Sequence, residues 1–436
     1  MEFNINIWDE VVKWLHKQGK FTPEMLTEEP ARNLIGETHR ILSDAVHLSI
    51  TEEVPPELTA QLEQNTYVFS AFKGYHNLKE ASLKLTNDKG GIKPFETFKQ
   101  DVLKVHKSYN VNYLEAEYNF AVQSAQMAVK WADYVADGDR YYLQYRTADD
   151  SKVRAEHAAL HGTTLPVDDP FWDNYFPPLG WNCRCTAVQV RKDKYPVSDS
   201  ATAMQAGEKA TESKKQQMFR FNPGKEGKVF PPKHPYLPKG CKGCDKNKLN
   251  LAYNPNSEKC RACLGITQCE HIICNKREYE RLKNNPEYIE VEFDPKNGGL
   301  KGSHINHHFD KIGGIYEKHV QNAGFKAGYS VIFESEEGVI IGKRYTEGLW
   351  NKKSFEVAGR ETGTVNNILR GLKHCAAKRT TAIAVLDFPN GGFKEENLKK
   401  AISKYKGLEK LKDGQFLRFE KIVCVQDETI VYEEDF

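Results

Sequence analysis

The chain has no run of about 18 consecutive apolar residues, the length a bilayer-spanning helix needs, so no such helix is expected. Its opening residues, MEFNINIWDEVVKW, hold neither the basic stretch nor the apolar stretch of a secretory leader. Charge of one sign is scarce as well. The 62 Lys and Arg face 60 Asp and Glu, a net of +2, which excludes a global field that would draw the protein onto nucleic acid or an anionic membrane. Ten cysteines without a leader favour reduced thiols or metal ligands over disulfides. What is present is enough to build cores: 39% of the residues are hydrophobic, and 28% charge with a mean hydropathy of −0.65 gives a wet surface. A length of 436 residues predicts two or three domains.

Residues 1–140 read as helix. LTEEPARNLIGETHRILSDAVHL and YNVNYLEAEYNFAVQSAQMAVKWADYV carry apolar residues at steps of three and four. In the second, Leu114, Ala121, Ala125, Ala128 and Trp131 share one face, and the alanines allow close helix approach, so a packed bundle is expected.

Between Tyr141 and Cys185 the chain reads YYLQYRTADDSKVRAEHAALHGTTLPVDDPFWDNYFPPLGWNCRC. Arg146, His157, His161-Gly162, Pro177-Pro178 and Asn182-Cys183-Arg184-Cys185 follow in an order that resembles the core motif of the Mu F-like phage head-morphogenesis family, whose members are minor capsid proteins. LEAEYNFAVQSAQ resembles the helix that precedes the motif, extending the likeness to about 190 residues. Chemically, two imidazoles and two thiols can close a tetrahedral metal site. The alternative is a buried polar cluster in which Asn182 pins a turn and the small cysteines fill core. The Cys-x-Cys spacing is unusual for a metal knuckle and favours the cluster. No nucleophile–base pair with a third orienting group stands out, so this region reads as structural.

From Lys192 to Lys239 the chain turns polar and basic. SDSATAMQAGEKATESKKQQ fits a solvated helix or a tether, and FNPGKEGKVFPPKHPYLPKG reads as an extended arm. Cys241-x2-Cys244 and Cys260-x2-Cys263 then have the spacing of two knuckles around one structural zinc, with Gly243 suiting the first tight turn. Cys269, His271 and Cys274 are competing ligands.

Beyond residue 276 strands and helices alternate. A helix over Phe309–Asn322, strand-like GYSVIFES, a hairpin region, KSFEVAG, a helix over Thr364–Lys378, buried TTAIAVLDF, helical FKEENLKKAISKY, and strands in QFLRFEKIVCV and ETIVYEE predict a small α/β domain. It concentrates polar residues that a fold does not need: His304, His307 and His308, Glu317, Arg344, Glu347, Glu356, and Lys373-His374. Glu356 falls on a central strand, where an unpaired carboxylate is costly. A carboxylate, a lysine and one or two histidines suffice for phosphodiester cleavage. The alternative is surface and capping contacts, with Thr364 as a helix cap and His304 to His308 exposed.

The layout resembles toxin-type tRNA nuclease domains of contact-dependent inhibition systems and the small phage nucleases grouped with barnase and RelE, over about 130 residues. The metal-dependent group has Glu-x-Lys on the strand, whereas Glu356-Val357-Ala358 lacks the lysine. Lys373 is the candidate replacement, and a metal-independent histidine mechanism is the alternative. Together these readings predict a multidomain α+β protein: a helical Mu F-like domain over 1–190, a basic linker over 191–240, a zinc-binding connector over 241–275, and an α/β nuclease-like domain over 290–436. The resemblance implies a phage minor head protein at the portal–capsid region, in the virion and the host cytoplasm during assembly. Its expected partners are portal and capsid proteins and RNA as substrate, with no membrane. A toxin delivered by a Mu F-like module and held by an immunity protein, and a purely structural virion protein, are the alternatives.

Overall fold

Helix α1 (Ile5–Gln18) shows the local rules at work. The Asn4 side chain caps it by accepting from the Asn6 amide, and Gly19, at a φ of +67°, ends it with its N–H on the Leu15 carbonyl. Trp8, Val11, Val12 and Leu15 form the buried stripe between those caps. The computed structural model describes residues 2–50, 54–238, 258–309, 313–336, 346–378, 380–413 and 419–436. It divides into two units, Met1–Cys269 and Glu270–Phe436. No helix among the described residues is long and apolar enough to cross a membrane.

In the first unit, α2 (Glu29–Ser49), α3 (Pro56–Ser82), α4 (Phe95–His106) and α5 (Leu114–Ala136) complete the helical part. Between α4 and α5 the backbone widens into a π-helical turn, Lys107–Tyr113, where the buried Asn110 side chain accepts from Asn77 at 2.9 Å. Leu114, Ala121, Ala125, Ala128 and Trp131 of α5 are all buried, as their spacing predicts, and α5 packs on α2. Lys73 of α3 and Glu117 of α5 form an ion pair sealed from solvent. Burial pushes the Glu117 carboxyl up to about 7 and the Lys73 amine down.

A three-stranded antiparallel sheet in the order β2–β1–β3 follows, from β1 (Tyr141–Arg146), β2 (Thr164–Leu165) and β3 (Thr186–Arg191). The short helices α6 (Ala155–Ala158) and α7 (Phe171–Tyr175) lie between its strands in sequence. Met127, Trp131 and Tyr134 of α5 join Leu143, Tyr145, Trp172, Phe176, Cys183 and Cys185 in one core.

The segment expected as a solvated arm is packed instead. Helix α8 (Ser200–Ala210), capped by Asp199, buries Ala203, Gly207 and Ala210. Gly207 faces the Tyr175 ring so closely that a Cβ there would stand 2.4 Å from it. After α9 (Pro223–Glu226), Val229 accepts from the Ser124 hydroxyl at 2.7 Å and Phe230 stacks on Phe69 with centroids 3.7 Å apart. A few aromatic anchors outweigh a composition of Pro, Gly and Lys.

Helix α10 (Glu258–Lys283) carries the division between the units. Among its described residues the second unit holds eight strands in the order β11–β10–β9–β8–β7–β6–β5–β4. These are β4 (Tyr288–Phe293), β5 (Leu300–His304), β6 (Ser330–Phe333), β7 (Gly348–Trp350), β8 (Lys353–Gly359), β9 (Ile383–Asp387), β10 (Lys421–Gln426) and β11 (Thr429–Asp435). β5 and β6 pair in parallel, as do β8, β9 and β10, while β7 runs antiparallel to both of its neighbours. Helix α11 (Gly313–Lys326) covers one face, placing Val320 and Ala323 with Val385 and Val423. Helices α12 (Val365–Ala377) and α13 (Glu395–Asp413) cover the other, where Ile368, Leu372 and Leu398 meet Ala384 and Leu386. β9 is therefore buried on both sides, which is why it reads as a continuous apolar run. Thr364 caps α12 by accepting from the Asn367 amide.

Candidate functional site

Two clusters of polar side chains sit inside the two units. In the first, His157 on α6 is buried, and its Nδ1 lies 3.6 Å from both Cys183 Sγ and Cys185 Sγ. Asn182, in the left-handed region at a φ of +57°, turns the chain into this extended stretch. Alternation then sends both thiols inward and Arg184 outward, where it holds Asp150 with two bonds of 2.6 Å. The Cys185 thiol donating to Cys183 holds the Cys183 thiol well below its ordinary value and pushes Cys185 up. Arg146 donates to the Gln144 side chain, and the exposed His161 bonds Thr147, so neither joins the thiols.

The connector is only partly on view. Cys241 and Cys244 lie outside the described residues. Cys260 and Cys263 begin α10, so the second pair stands in a helical turn rather than in the tight loop that the spacing suggested. Cys269 is a core thiol donating to the Leu26 carbonyl at 3.3 Å, and His271 bonds the Asn297 carbonyl.

In the second unit a chain of charges crosses the sheet. Glu356 on β8 is 1% exposed. Lys378, just after α12, approaches it at 2.8 Å, and His374 on α12 at 3.4 Å. Both contacts are at ion-pair distance, yet neither carboxylate oxygen has a hydrogen bond of good direction. Lys378 also reaches Glu347 at 3.3 Å; Glu347 lies 4.0 Å from His307 Nε2, which meets Glu317 of α11 at 3.1 Å. Burial raises the Glu356 and Glu317 carboxyls. Burial works against the charged form of His307, but Glu317, Glu336 and Glu347 outweigh it and raise the imidazole. Ligand atoms of His307, Glu336 and Glu347 lie within 4.8 Å of one another, close enough to share a metal ion.

Thus His307, Glu317, Glu347, Glu356 and His374 come together. His304 does not: its Nδ1 accepts from the Asn306 amide in a local turn. Lys373 is exposed and apart from the network, and Arg344 lies outside the described residues. Lys378 and Glu336 escaped the sequence reading. So did Asp387, at the end of β9, whose Oδ2 meets His319 at 3.1 Å while Oδ1 has no partner. Burial pushes Asp387 up to about 6.

Residues 89–188 match the model of the family described as "Phage Mu protein F like protein", so this segment is similar to that family. Among individual relatives, the chain is 36% identical over 97 residues to the "Putative capsid assembly protein F" of Escherichia phage Mu, covering 21% of this chain and 22% of that one. It is 37% identical over 90 residues to the "Mu-like prophage FluMu F protein" of Haemophilus influenzae, covering 19% and 22%. The chain thus spans about a fifth of the length of the curated relatives it matches. No solved structure matches it.

Proposed function

We propose that this chain acts in phage head assembly as a minor head protein, in the host cytoplasm and then in the particle, with portal and capsid proteins as partners. The ordered motif from Arg146 to Cys185, inside a segment similar to a capsid assembly protein, carries this reading. Mass spectrometry of purified particles should find the chain at low copy. Its presence only as free protein in induced cells would remove the assignment.

We further propose that the second unit cleaves RNA, the reading supported by the Glu356 network. A carboxylate with a raised pKa can take the proton of a 2′-hydroxyl, and Lys378 beside it can offset the charge growing on the phosphate. His374, 55% exposed, links the buried acid to solvent. Full-length chain incubated with tRNA and DNA, with and without EDTA, tests this. Cleavage lost with EDTA points to an ion at His307, Glu336 and Glu347; cleavage indifferent to EDTA points to histidine chemistry. Intact RNA under all conditions would end the idea. Growth arrest relieved by a cognate immunity protein would favour the delivered-toxin reading. The connector is proposed to hold one structural zinc on Cys241, Cys244, Cys260 and Cys263, supported by their spacing.

A further inference from the structure

We propose that His157, Cys183 and Cys185 form a second metal site, separate from the connector, for a soft divalent cation of the zinc class. The ligand atoms converge: His157 Nδ1 is 3.6 Å from each sulfur, and the three atoms lie within 4.8 Å of one another. Zinc–sulfur bonds of about 2.3 Å and zinc–nitrogen bonds of about 2.1 Å at a tetrahedral angle imply an N···S edge of about 3.6 Å. Hydrogen bonding accounts for less of this arrangement. The Nδ1 lone pair can accept one S–H, yet two sulfurs approach it equally. The donor set is thiolate and imidazole, which selects zinc over magnesium or calcium.

The surroundings are those of a built site. His157, Cys183 and Cys185 are 2%, 6% and 3% exposed. The Tyr145 hydroxyl on β1 is buried beside the two thiols, placed to donate to a metal-bound thiolate. His157 Nε2, buried without a partner, keeps its proton when Nδ1 takes the metal. Two thiolates neutralise the ion, so the apolar core receives no net charge. The three ligands come from α6 and from the stretch leading into β3, so the ion would clamp the Mu F-like segment across its sheet. Three protein ligands leave the fourth position to water.

The test uses full-length chain with Cys241, Cys244, Cys260 and Cys263 all changed to serine, and cobalt(II) alone as probe. We expect one cobalt per chain, with tetrahedral visible bands and thiolate charge transfer, both abolished by adding His157→Ala. A folded four-serine protein that takes up no cobalt, or takes it up without thiolate bands, overturns the proposal. If that variant does not fold, the wild-type chain decides. Slower alkylation of Cys183 and Cys185 in zinc-loaded than in EDTA-treated protein supports the site, and equal rates overturn it.

Discussion

Lys73–Glu117 and Lys378–Glu356 are the same pair of side chains in two settings. In the first unit both partners are closed off by helices, at 1% and 4% side-chain exposure. Glu117 also accepts from Tyr236, so the pair is complete in itself. In the second unit the carboxylate is as deeply buried, but its lysine is 24% exposed and shared with Glu347, and the half-exposed His374 stands on its other side. A sealed pair can only be kept or broken. An open one can exchange protons with what arrives from solvent. Burial of a charge is therefore a poor guide to function until one asks where the partner leads.

The largest effect expected from this contrast is on stability. Lys73→Met leaves Glu117 buried and unpaired and should cost about 3–5 kcal/mol in urea unfolding. The double change Lys73→Met with Glu117→Leu should recover most of that, because two apolar groups need no partner. If the single variant is as stable as wild type, the pair is not sealed and the comparison fails.

Next in size is catalysis. Glu356→Gln should lower RNA cleavage about 100-fold or more, the scale for losing a general acid or base. Its cost in stability should stay well below that of Lys73→Met, since Lys378 keeps Glu347. His374→Ala should shift the pH profile of cleavage, while Lys373→Ala, outside the network, should leave it in place. The reverse pattern would return the catalytic lysine to the position first favoured by the sequence.

A smaller effect is tied to pH. The folded pKa of Asp387, about 6, lies above its ordinary value of 3.8, so the proton is held more tightly in the fold. The stability this contributes is fully present below the unfolded value and is lost as pH rises through about 6. Asp387→Asn should flatten the urea midpoint across that window, and a curve parallel to wild type would show the group is not perturbed. The smallest effect belongs to the exposed Arg184–Asp150 pair. Arg184→Ala should leave the melting temperature unmoved, because water competes fully for both partners.

Much of this was legible in the chain itself. The α5 stripe, the Thr364 cap and the apolar run of β9 follow from period, capping and burial, and the structure places each as read. The arm through residue 238 was not legible, because composition counts Pro, Gly and Lys while Phe219, Phe221 and Phe230 decide the packing. Lys378 was missed for a geometric reason. It stands four residues after His374 and so on the same side, whereas Lys373 precedes His374 and points about 100° away. Asp387 hid at the end of a strand whose other residues are all apolar. For the thiol cluster the sequence gives donors but not their convergence. Cys-x-Cys is an unusual spacing for a knuckle, and of the two histidines weighed with it only His157, twenty-six residues before Cys183, reaches the thiols.

The wide turn at Lys107–Tyr113 bears on how this molecule tolerates change. It works as a phase shifter between two cogwheels. On one side of it Phe98, Val102 and Val105 mesh inward, and on the other Leu114, Ala121 and Ala125 do. Winding the same seven residues as ordinary α-helix would rotate one wheel against the other by about 100°. The helix would survive as a helix, yet every tooth of α5 would meet a gap.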